Sequence, residues 1–192
     1  MKFRKAFSLG SFILEFVQSI VLALSVFVLL YLFVVQPNEV NGNSMVPNFQ
    51  NRERILTDKL SYQFGEPKRG DVVVFKAPAS EPCSENECEY IKRIIGVPGD
   101  RVMVSGGQVY LNGKLLEQDF LPTDFVTEPG SFCQEGVEVE VPEGSYLVFG
   151  DNRSHSRDGR EFGPIPQKLI LGKVFFRYWP LKTIGLIPSI SL

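Results

Sequence analysis

The longest apolar run in the chain, FVQSIVLALSVFVLLYLFVV from Phe16 to Val35, limits the fold more than any other feature. Its 20 residues carry no charge, and at ~1.5 Å per helical residue they span the ~30 Å hydrocarbon core of a bilayer. A cleaved leader is the main alternative, but its apolar region is usually about 7–15 residues and ends in small residues. A buried core helix would normally carry a polar stripe. We therefore predict an uncleaved transmembrane anchor over residues 16–35.

The charges that flank this run predict its orientation. Lys2, Arg4 and Lys5 precede the run, whereas no Lys or Arg follows it until Arg52. The positive-inside rule then places residues 1–15 in the cytoplasm as a short tail and residues 36–192 outside. We expect a single-pass protein of the cytoplasmic (inner) membrane with an extracytoplasmic domain.

The composition excludes several function classes. A content of 44% hydrophobic and 22% charged residues is typical of a folded chain of 192 residues. The net charge of −2 gives no support for nucleic-acid binding, which requires a concentrated basic face. His155 is the only histidine, so most zinc sites are unavailable. We predict no metal and no organic cofactor.

The three cysteines, Cys83, Cys88 and Cys133, are expected on the oxidising side of the membrane. Cys83 and Cys88 flank Ser-Glu-Asn-Glu and could close a small ring, whereas Cys133 could pair with either of them. Three cysteines cannot all pair within one chain, and the sequence does not choose between the pairings.

Beyond the anchor the chain shows short strands separated by turns. Asn112-Gly113 suits the type I′ turn of a hairpin, and Val137–Val141 alternates apolar and acidic residues. The other expected strands are Asp71–Lys76, Val109–Leu111, Ser145–Phe149 and Gly172–Trp179. We predict a mostly β domain over residues 36–192, in which residues 105–142 form a smaller lobe or cap.

The stretch YIKRIIGVPGD, from Tyr90 to Asp100, predicts a strand that ends in a turn. Side chains alternate between the faces of a strand, so Lys92 and Arg93 point to opposite faces, each between apolar neighbours.

Two polar segments add candidate chemistry. The first, Asn41–Pro47, holds Ser44 on a loop close to the anchor. The second, Gly150–Arg160, gathers three arginines, two aspartates, two serines and His155 between apolar segments. Each segment alone is more typical of a turn or a solvated loop.

Taken in order, four stretches resemble the conserved boxes of bacterial type I signal peptidases, from the anchor to about Lys173. They are Ser44-Met45 with Pro47, Arg69-Gly70-Asp71, the Tyr90–Asp100 strand, and Gly150–Asp158. The resemblance implies an antiparallel β-sheet catalytic domain with a smaller β cap. It also implies a membrane-bound serine endopeptidase with Ser44 as nucleophile and Lys92 as general base. Ser156 resembles the serine that orients the lysine by a hydrogen bond.

The resemblance extends to the residues around the dyad. Asp158 and Arg160 match a structural charge network that also reaches Arg93. The pocket-lining positions of the family fall on Val40, Met45, Phe49, Val74, Glu89, Tyr90 and Ile91. The implied partners are the bilayer, the secretion translocon nearby, and the signal peptides of exported preproteins, cut after small residues at −1 and −3.

The chain departs from the family pattern at Gly42, where some members carry a serine that stabilises the oxyanion, and at Gly159, where a serine is common. Three alternatives stay open. They are a Ser-His-Asp triad of His155 with Asp151 or Asp158, an inactive relative that binds signal peptides without cutting them, and a self-cleaving repressor-type serine–lysine protease. The last of these would need a DNA-binding module, and the chain has an anchor instead.

Overall fold

The apolar run forms one helix, α1 (Leu9–Phe33), in a computed structural model that describes residues 9–82, 88–188, 190 and 192. Within these residues, Gly10–Tyr31 is the one stretch of helix long and apolar enough to cross a membrane. The Ser19 and Ser25 hydroxyls donate to the carbonyls of Glu15 and Val21, one turn earlier, at 2.9 and 2.8 Å. Both polar groups are thus satisfied within the helix itself. The helix ends two residues before the predicted anchor does, because Val35 already begins a strand.

The described part of the chain after α1 is built from short strands, two α-helices of one turn each, and three 3₁₀ turns at Arg153–His155, Gln167–Leu169 and Leu181–Thr183. The strands are β1 (Val35–Glu39), β2 (Arg54–Asp58), β3 (Val72–Lys76), β4 (Glu89–Gly96), β5 (Arg101–Ser105), β6 (Gln108–Leu111), β7 (Lys114–Leu115), β8 (Glu138–Glu140), β9 (Ser145–Phe149), β10 (Ile165–Pro166), β11 (Ile170–Trp179) and β12 (Gly185–Leu186). The short helices are α2 (Ser61–Phe64) and α3 (Gly159–Phe162).

Eight strands form the main antiparallel sheet, in the order β1-β2-β11-β3-β4-β9-β10, with β12 also paired to β11. The central strand β3 is buried from Val72 to Phe75, so its apolar run is covered on both faces, as its sequence predicts. β4 lies between β3 and β9, and Val73 of β3 is directly opposite Lys92 of β4.

The remaining four strands form a second sheet in the order β7-β6-β5-β8. Asn112 and Gly113 join β6 to β7 with φ angles of 52° and 76°, the two positive values that a type I′ turn requires. The predicted hairpin is therefore confirmed. Three of its strands, β6, β7 and β8, lie within residues 105–142, the segment expected to form a cap. With α1 and the main sheet, the smaller sheet confirms the mostly β fold class.

The cysteines occupy different environments. Cys88 is disulfide-bonded, whereas Cys133 is a buried free thiol. Burial raises the pKa of Cys133 to about 12, so this thiol stays protonated. Cys83 lies outside the described residues.

Candidate active site

Ser44 lies on the loop that leaves β1 and leads to β2. Gly42 precedes it with a φ of 99°, a conformation that is open to glycine and strained for other residues. The Gly42 N–H donates to Asn51 Oδ1 at 2.9 Å, which ties the two ends of the loop together. This turn directs Ser44 toward β4.

Lys92 of β4 reaches Ser44 directly. Its Nζ donates to Ser44 Oγ at 2.8 Å and to the Ile91 carbonyl at 3.0 Å. The residue is 4% exposed, so its amine is largely shielded from water. The structure thus brings together two residues that lie 48 positions apart in the chain.

Burial lowers the pKa of Lys92 to about 8, because the low-dielectric surroundings penalise the charged amine. The carboxylates of Asp158 and Asp151 act in the opposite direction and raise this pKa, whereas the Arg160 cation lowers it. The Tyr90 ring contributes to the apolar surroundings, with its centroid 5.3 Å from Lys92 Nζ.

The segment after β9 holds the Ser44 loop in place. The Asn152 backbone N–H donates to the Ser44 carbonyl at 2.9 Å, and the Asn152 side chain donates to the Asn43 carbonyl at 3.0 Å. Gly150 packs so closely that an added Cβ would lie 2.5 Å from the Ser44 carbonyl oxygen. The polar composition of this segment predicts a site, but it does not predict that Gly150 and Asn152 hold the Ser44 loop. We call this pair of contacts the clamp.

Ser156 lies at the same point of close packing. Its hydroxyl is the nearest atom to the position that a Cβ on Gly150 would occupy. Ser156 Oγ is buried and has no hydrogen-bond partner among the described residues. The structure therefore places Ser156 beside the Ser44 loop without the hydrogen bond to Lys92, and its orienting role stays a prediction.

A buried ion network lies next to the dyad. Arg93 makes two hydrogen bonds to the Asp151 carboxylate, at 2.9 and 2.7 Å, and Asp158 makes an equivalent pair with Arg160 at 2.9 Å each. Arg93, Asp158 and Arg160, the three residues expected in a charge network, all take part in these ion pairs, but the direct partner of Arg93 is Asp151, which was not expected in the network. The β9–α3 connection brings Asp151, rather than Asp158, opposite the Arg93 guanidinium.

Arg153 is a buried network member that the sequence analysis did not single out. It donates to the Gly150 carbonyl at 3.0 Å and to Thr127 Oγ1 at 2.7 Å. Burial lowers its pKa to about 10. With Arg153 the network holds three guanidinium groups and two carboxylates.

A cleft of about 600 Å³ opens beside the dyad. It is lined by Ser44 and Lys92 and by five of the expected pocket residues, Val40, Val74, Glu89, Tyr90 and Ile91. Met45 and Phe49, the other two, are 0% and 1% exposed and belong to the core beneath, packed with Ile55, Val72 and Val174. These two residues support the cleft floor and do not line the cleft.

His155 lies at the cleft rim and is exposed. Its Nδ1 lies 2.9 Å from Ser154 Oγ, within hydrogen-bond distance, whereas Asp151 and Asp158 are paired with arginines. Ser44 has Lys92 as its basic partner. The geometry therefore gives no support to a Ser-His-Asp triad.

Two further features bear on the chemistry. Within residues 9–82 and 88–188, the Ser44 N–H has no hydrogen-bond acceptor, so it is available to a ligand, while the Gly42 N–H is already used. No group of three or more His, Cys, Asp or Glu side chains in the described part of the chain could hold a metal ion.

Comparisons with known proteins identify the family of this chain. A family model described as signal peptidase, peptidase S26, matches residues 13–179. The chain is 38% identical to a probable signal peptidase I-2 of Synechocystis over 155 residues, 81% of this chain and 68% of the relative. It is 35% identical to signal peptidase IB of Staphylococcus aureus over 179 residues, 88% of this chain and 90% of the relative. A crystal structure of a signal peptidase I from Enterococcus faecalis, 30% identical, matches with a TM-score of 0.45 over 56% of this chain and 96% of that one. The resemblance seen in the four motifs is confirmed, and the chain belongs to the signal peptidase family, peptidase S26.

Proposed function

We propose that this protein is a membrane-anchored serine endopeptidase that removes signal peptides from exported preproteins through a Ser44–Lys92 dyad. The observation that carries the proposal is the 2.8 Å hydrogen bond between Lys92 Nζ and Ser44 Oγ in a buried setting. Family membership supports the peptidase activity, and the dyad supplies a chemical route to it.

The lowered pKa makes Lys92 a usable base. A lysine with an ordinary pKa is neutral about four times in ten thousand at pH 7. With a pKa of about 8, the neutral fraction at pH 7 rises to roughly one in ten. Burial therefore raises the population of the basic form by about two orders of magnitude.

The reaction follows from this pair. Neutral Lys92 takes the proton of the Ser44 hydroxyl as Oγ attacks the scissile carbonyl. When the tetrahedral intermediate collapses, the C–N bond breaks and Lys92 gives its proton to the leaving amine. Lys92 then activates a water that hydrolyses the acyl-enzyme on Ser44 and regenerates the free hydroxyl.

We assign the oxyanion to the backbone N–H of Ser44, which has no acceptor among the described residues and is therefore free to donate. Gly42 offers no hydroxyl, and its own N–H is bonded to Asn51. A second donor would then be water or another backbone group of the loop.

The cleft supports a preference for small side chains at −1 and −3. Val40 and Val74, which line it, are 2% and 3% exposed, so little apolar surface is open to a substrate side chain. A methyl-sized group needs little apolar surface for contact, whereas a larger side chain would have to displace these buried residues.

The short chain distance between α1 and the cleft supports a location of the active site at the membrane surface. The Lys59 N–H donates to the carbonyl of Val34, just after α1 ends, at 2.9 Å, and the cleft is lined from Pro37 onward. With the N-terminus in the cytoplasm, as the flanking charges predict, Ser44 would meet a cleavage site as it leaves the bilayer on the outer side, near the translocon.

Cleavage of a preprotein by the purified full-length chain in detergent tests this function. We expect Ser44→Ala and Lys92→Ala to lower kcat/KM by at least ~10³-fold each. Ser154→Ala, in an exposed hydroxyl of the same polar segment, is the matched control and should cleave normally. If both dyad variants still cut, the mechanism is wrong, and if the wild-type chain binds signal peptides without cutting, the inactive-relative alternative is correct.

A further inference from the structure

Glu81, in the segment after β3, is a buried carboxylate that the dyad chemistry does not use. Its side chain is 0% exposed. Oε2 accepts from Arg157 Nε at 2.7 Å and from the Tyr90 hydroxyl at 3.3 Å, while Oε1 is buried without a partner in the described part of the chain. Burying an incompletely paired carboxylate is costly. The arrangement therefore needs a reason other than stability.

Arg157 connects this carboxylate to the catalytic cleft. It lies between Ser156 and Asp158 in the chain and lines the same cleft as Lys92 and Tyr90. Its side chain is 58% exposed, and among the described residues Glu81 is the one partner that fixes it by a hydrogen bond and an ion pair. The ion pair holds it at the cleft wall.

Tyr90 links the Glu81 carboxylate to Lys92. Its hydroxyl donates to Glu81, and its ring centroid lies 5.3 Å from Lys92 Nζ. The ring also packs against Phe75 and Phe162, with centroids 6.0 and 6.5 Å apart. Burial and the Glu81 carboxylate raise the pKa of Tyr90, which keeps its phenol protonated and able to donate.

We propose that Glu81 and Arg157 are positioning residues, which hold the Tyr90 ring beside Lys92 and the Arg157 side chain at the wall of the same cleft and so exclude water from the Lys92 amine. The inference rests on the proposed role of Lys92 as general base. Through Tyr90, the pair acts on the lysine without touching the reacting atoms.

The charges around Lys92 determine the direction in which its pKa should change when Arg157 is replaced. Asp158, Asp151 and Glu81 raise its pKa, and Arg160 lowers it; His155 and Arg157 line the same cleft. Removing the Arg157 cation leaves Glu81 without its counter-charge and opens the wall to water. Both changes favour the charged amine, so the pKa of Lys92 should rise.

The direct test is the titration of Lys92 in the full-length protein in detergent micelles, followed by NMR of ¹³Cε-labelled lysine and assigned with a Lys92→Met sample. Arg157→Met removes the ion pair, and Arg157→Lys restores a cation. Arg101→Met is the matched control, because Arg101 is 57% exposed and pairs with Glu138 at 3.4 Å in the second sheet.

We expect Arg157→Met to raise the pKa of Lys92 by about 0.5–1 unit and to lower preprotein cleavage at pH 7 by about 3–10-fold. Arg157→Lys should recover at least half of the shift, and Arg101→Met should show none. A Lys92 titration in Arg157→Met that matches the wild type overturns the inference. A shifted titration in a protein whose wild type never cleaves would support the positioning role and refute the proposed function.

Discussion

Lys92 and Arg93 are neighbours on β4 and are both nearly inaccessible to solvent, at 4% and 2% exposure, yet their surroundings differ sharply. Arg93 has a bidentate carboxylate partner in Asp151, a carbonyl acceptor in Gly70 at 2.9 Å, and the Phe120 ring 4.4 Å from its guanidinium carbon. Lys92 has a hydroxyl and one carbonyl. One cation is fully compensated, and the other is left without a counter-ion in contact.

The difference separates a scaffold from a reactive group. A buried cation with a bidentate carboxylate keeps its charge and fixes the loops around it. A buried amine that contacts only neutral acceptors loses its preference for the charged form and becomes a base near neutral pH. The pleat of one strand places the two on opposite faces, so the network can support the dyad without neutralising it.

The largest effect on stability should come from removing the carboxylate charge that pairs with Arg93. Asp151→Asn leaves the Arg93 guanidinium buried without its carboxylate, and we expect a loss of about 3–5 kcal/mol in the free energy of unfolding. Urea unfolding of the protein in detergent measures it. Glu138→Gln, which removes the exposed partner of Arg101, is the control and should change stability by less than ~1 kcal/mol. Equal effects of the two variants would contradict the contrast.

A second test displaces Ser44 from Lys92 without changing any charge. Gly150→Ala introduces a Cβ that would clash with Ser156 and lie 2.5 Å from the Ser44 carbonyl. The shift of Ser44 should lower kcat by about 10²-fold. Gly185→Ala is the matched control, because no atom lies within 4 Å of its added Cβ, and it should cleave like the wild type. Normal activity of Gly150→Ala would show that the clamp is unimportant.

A third test measures how much the buried Lys92 amine, which has no counter-ion in contact, lowers the free energy of unfolding. With a folded pKa of about 8, below the ordinary 10.5, Lys92 binds fewer protons in the folded than in the unfolded chain between these two values. The stability of the wild type should therefore rise with pH across this window. We expect Lys92→Met to be about 1–3 kcal/mol more stable at pH 7 and the advantage to disappear as pH rises from about 8 to 10.5. Denaturant midpoints of the wild type and Lys92→Met at several pH values measure this. A stability difference that does not change with pH would contradict the expectation.

The smallest effect concerns Ser156, whose buried hydroxyl has no partner among the described residues. Ser156→Ala should change stability by less than ~1 kcal/mol, because it removes an unsatisfied group. If the hydroxyl orients Lys92 during the reaction, as the resemblance implies, kcat/KM should fall by about tenfold. A variant with lower stability and full activity would make Ser156 a structural residue only.

Strands and turns were predictable where the sequence determines local geometry. The β3 run and the Asn112-Gly113 hairpin follow from apolar continuity and turn chemistry, and the opposite faces of Lys92 and Arg93 follow from the period of a strand. Ser44 and Lys92 could be paired only through the family motifs, since no local rule relates residues that lie 48 positions apart.

The parts that were missed depend on how loops fold. Asp151 and Asp158 lie seven positions apart in one polar segment, and only the path of the connection decides which meets Arg93. Met45 and Phe49 belong to a loop without regular alternation, so their burial beneath the cleft was not readable. Glu81 precedes an acidic stretch, and nothing local distinguishes its buried carboxylate from solvated ones.

The most direct measurement is the pH dependence of kcat/KM for preprotein cleavage by the wild-type protein and by His155→Ala. Because neutral Lys92 is the active form, we expect the rate to rise with pH to a midpoint near 8, set by the lowered pKa of Lys92, in both proteins. A midpoint of about 6.5 that disappears in His155→Ala would assign the base to the histidine and contradict the Ser44–Lys92 dyad.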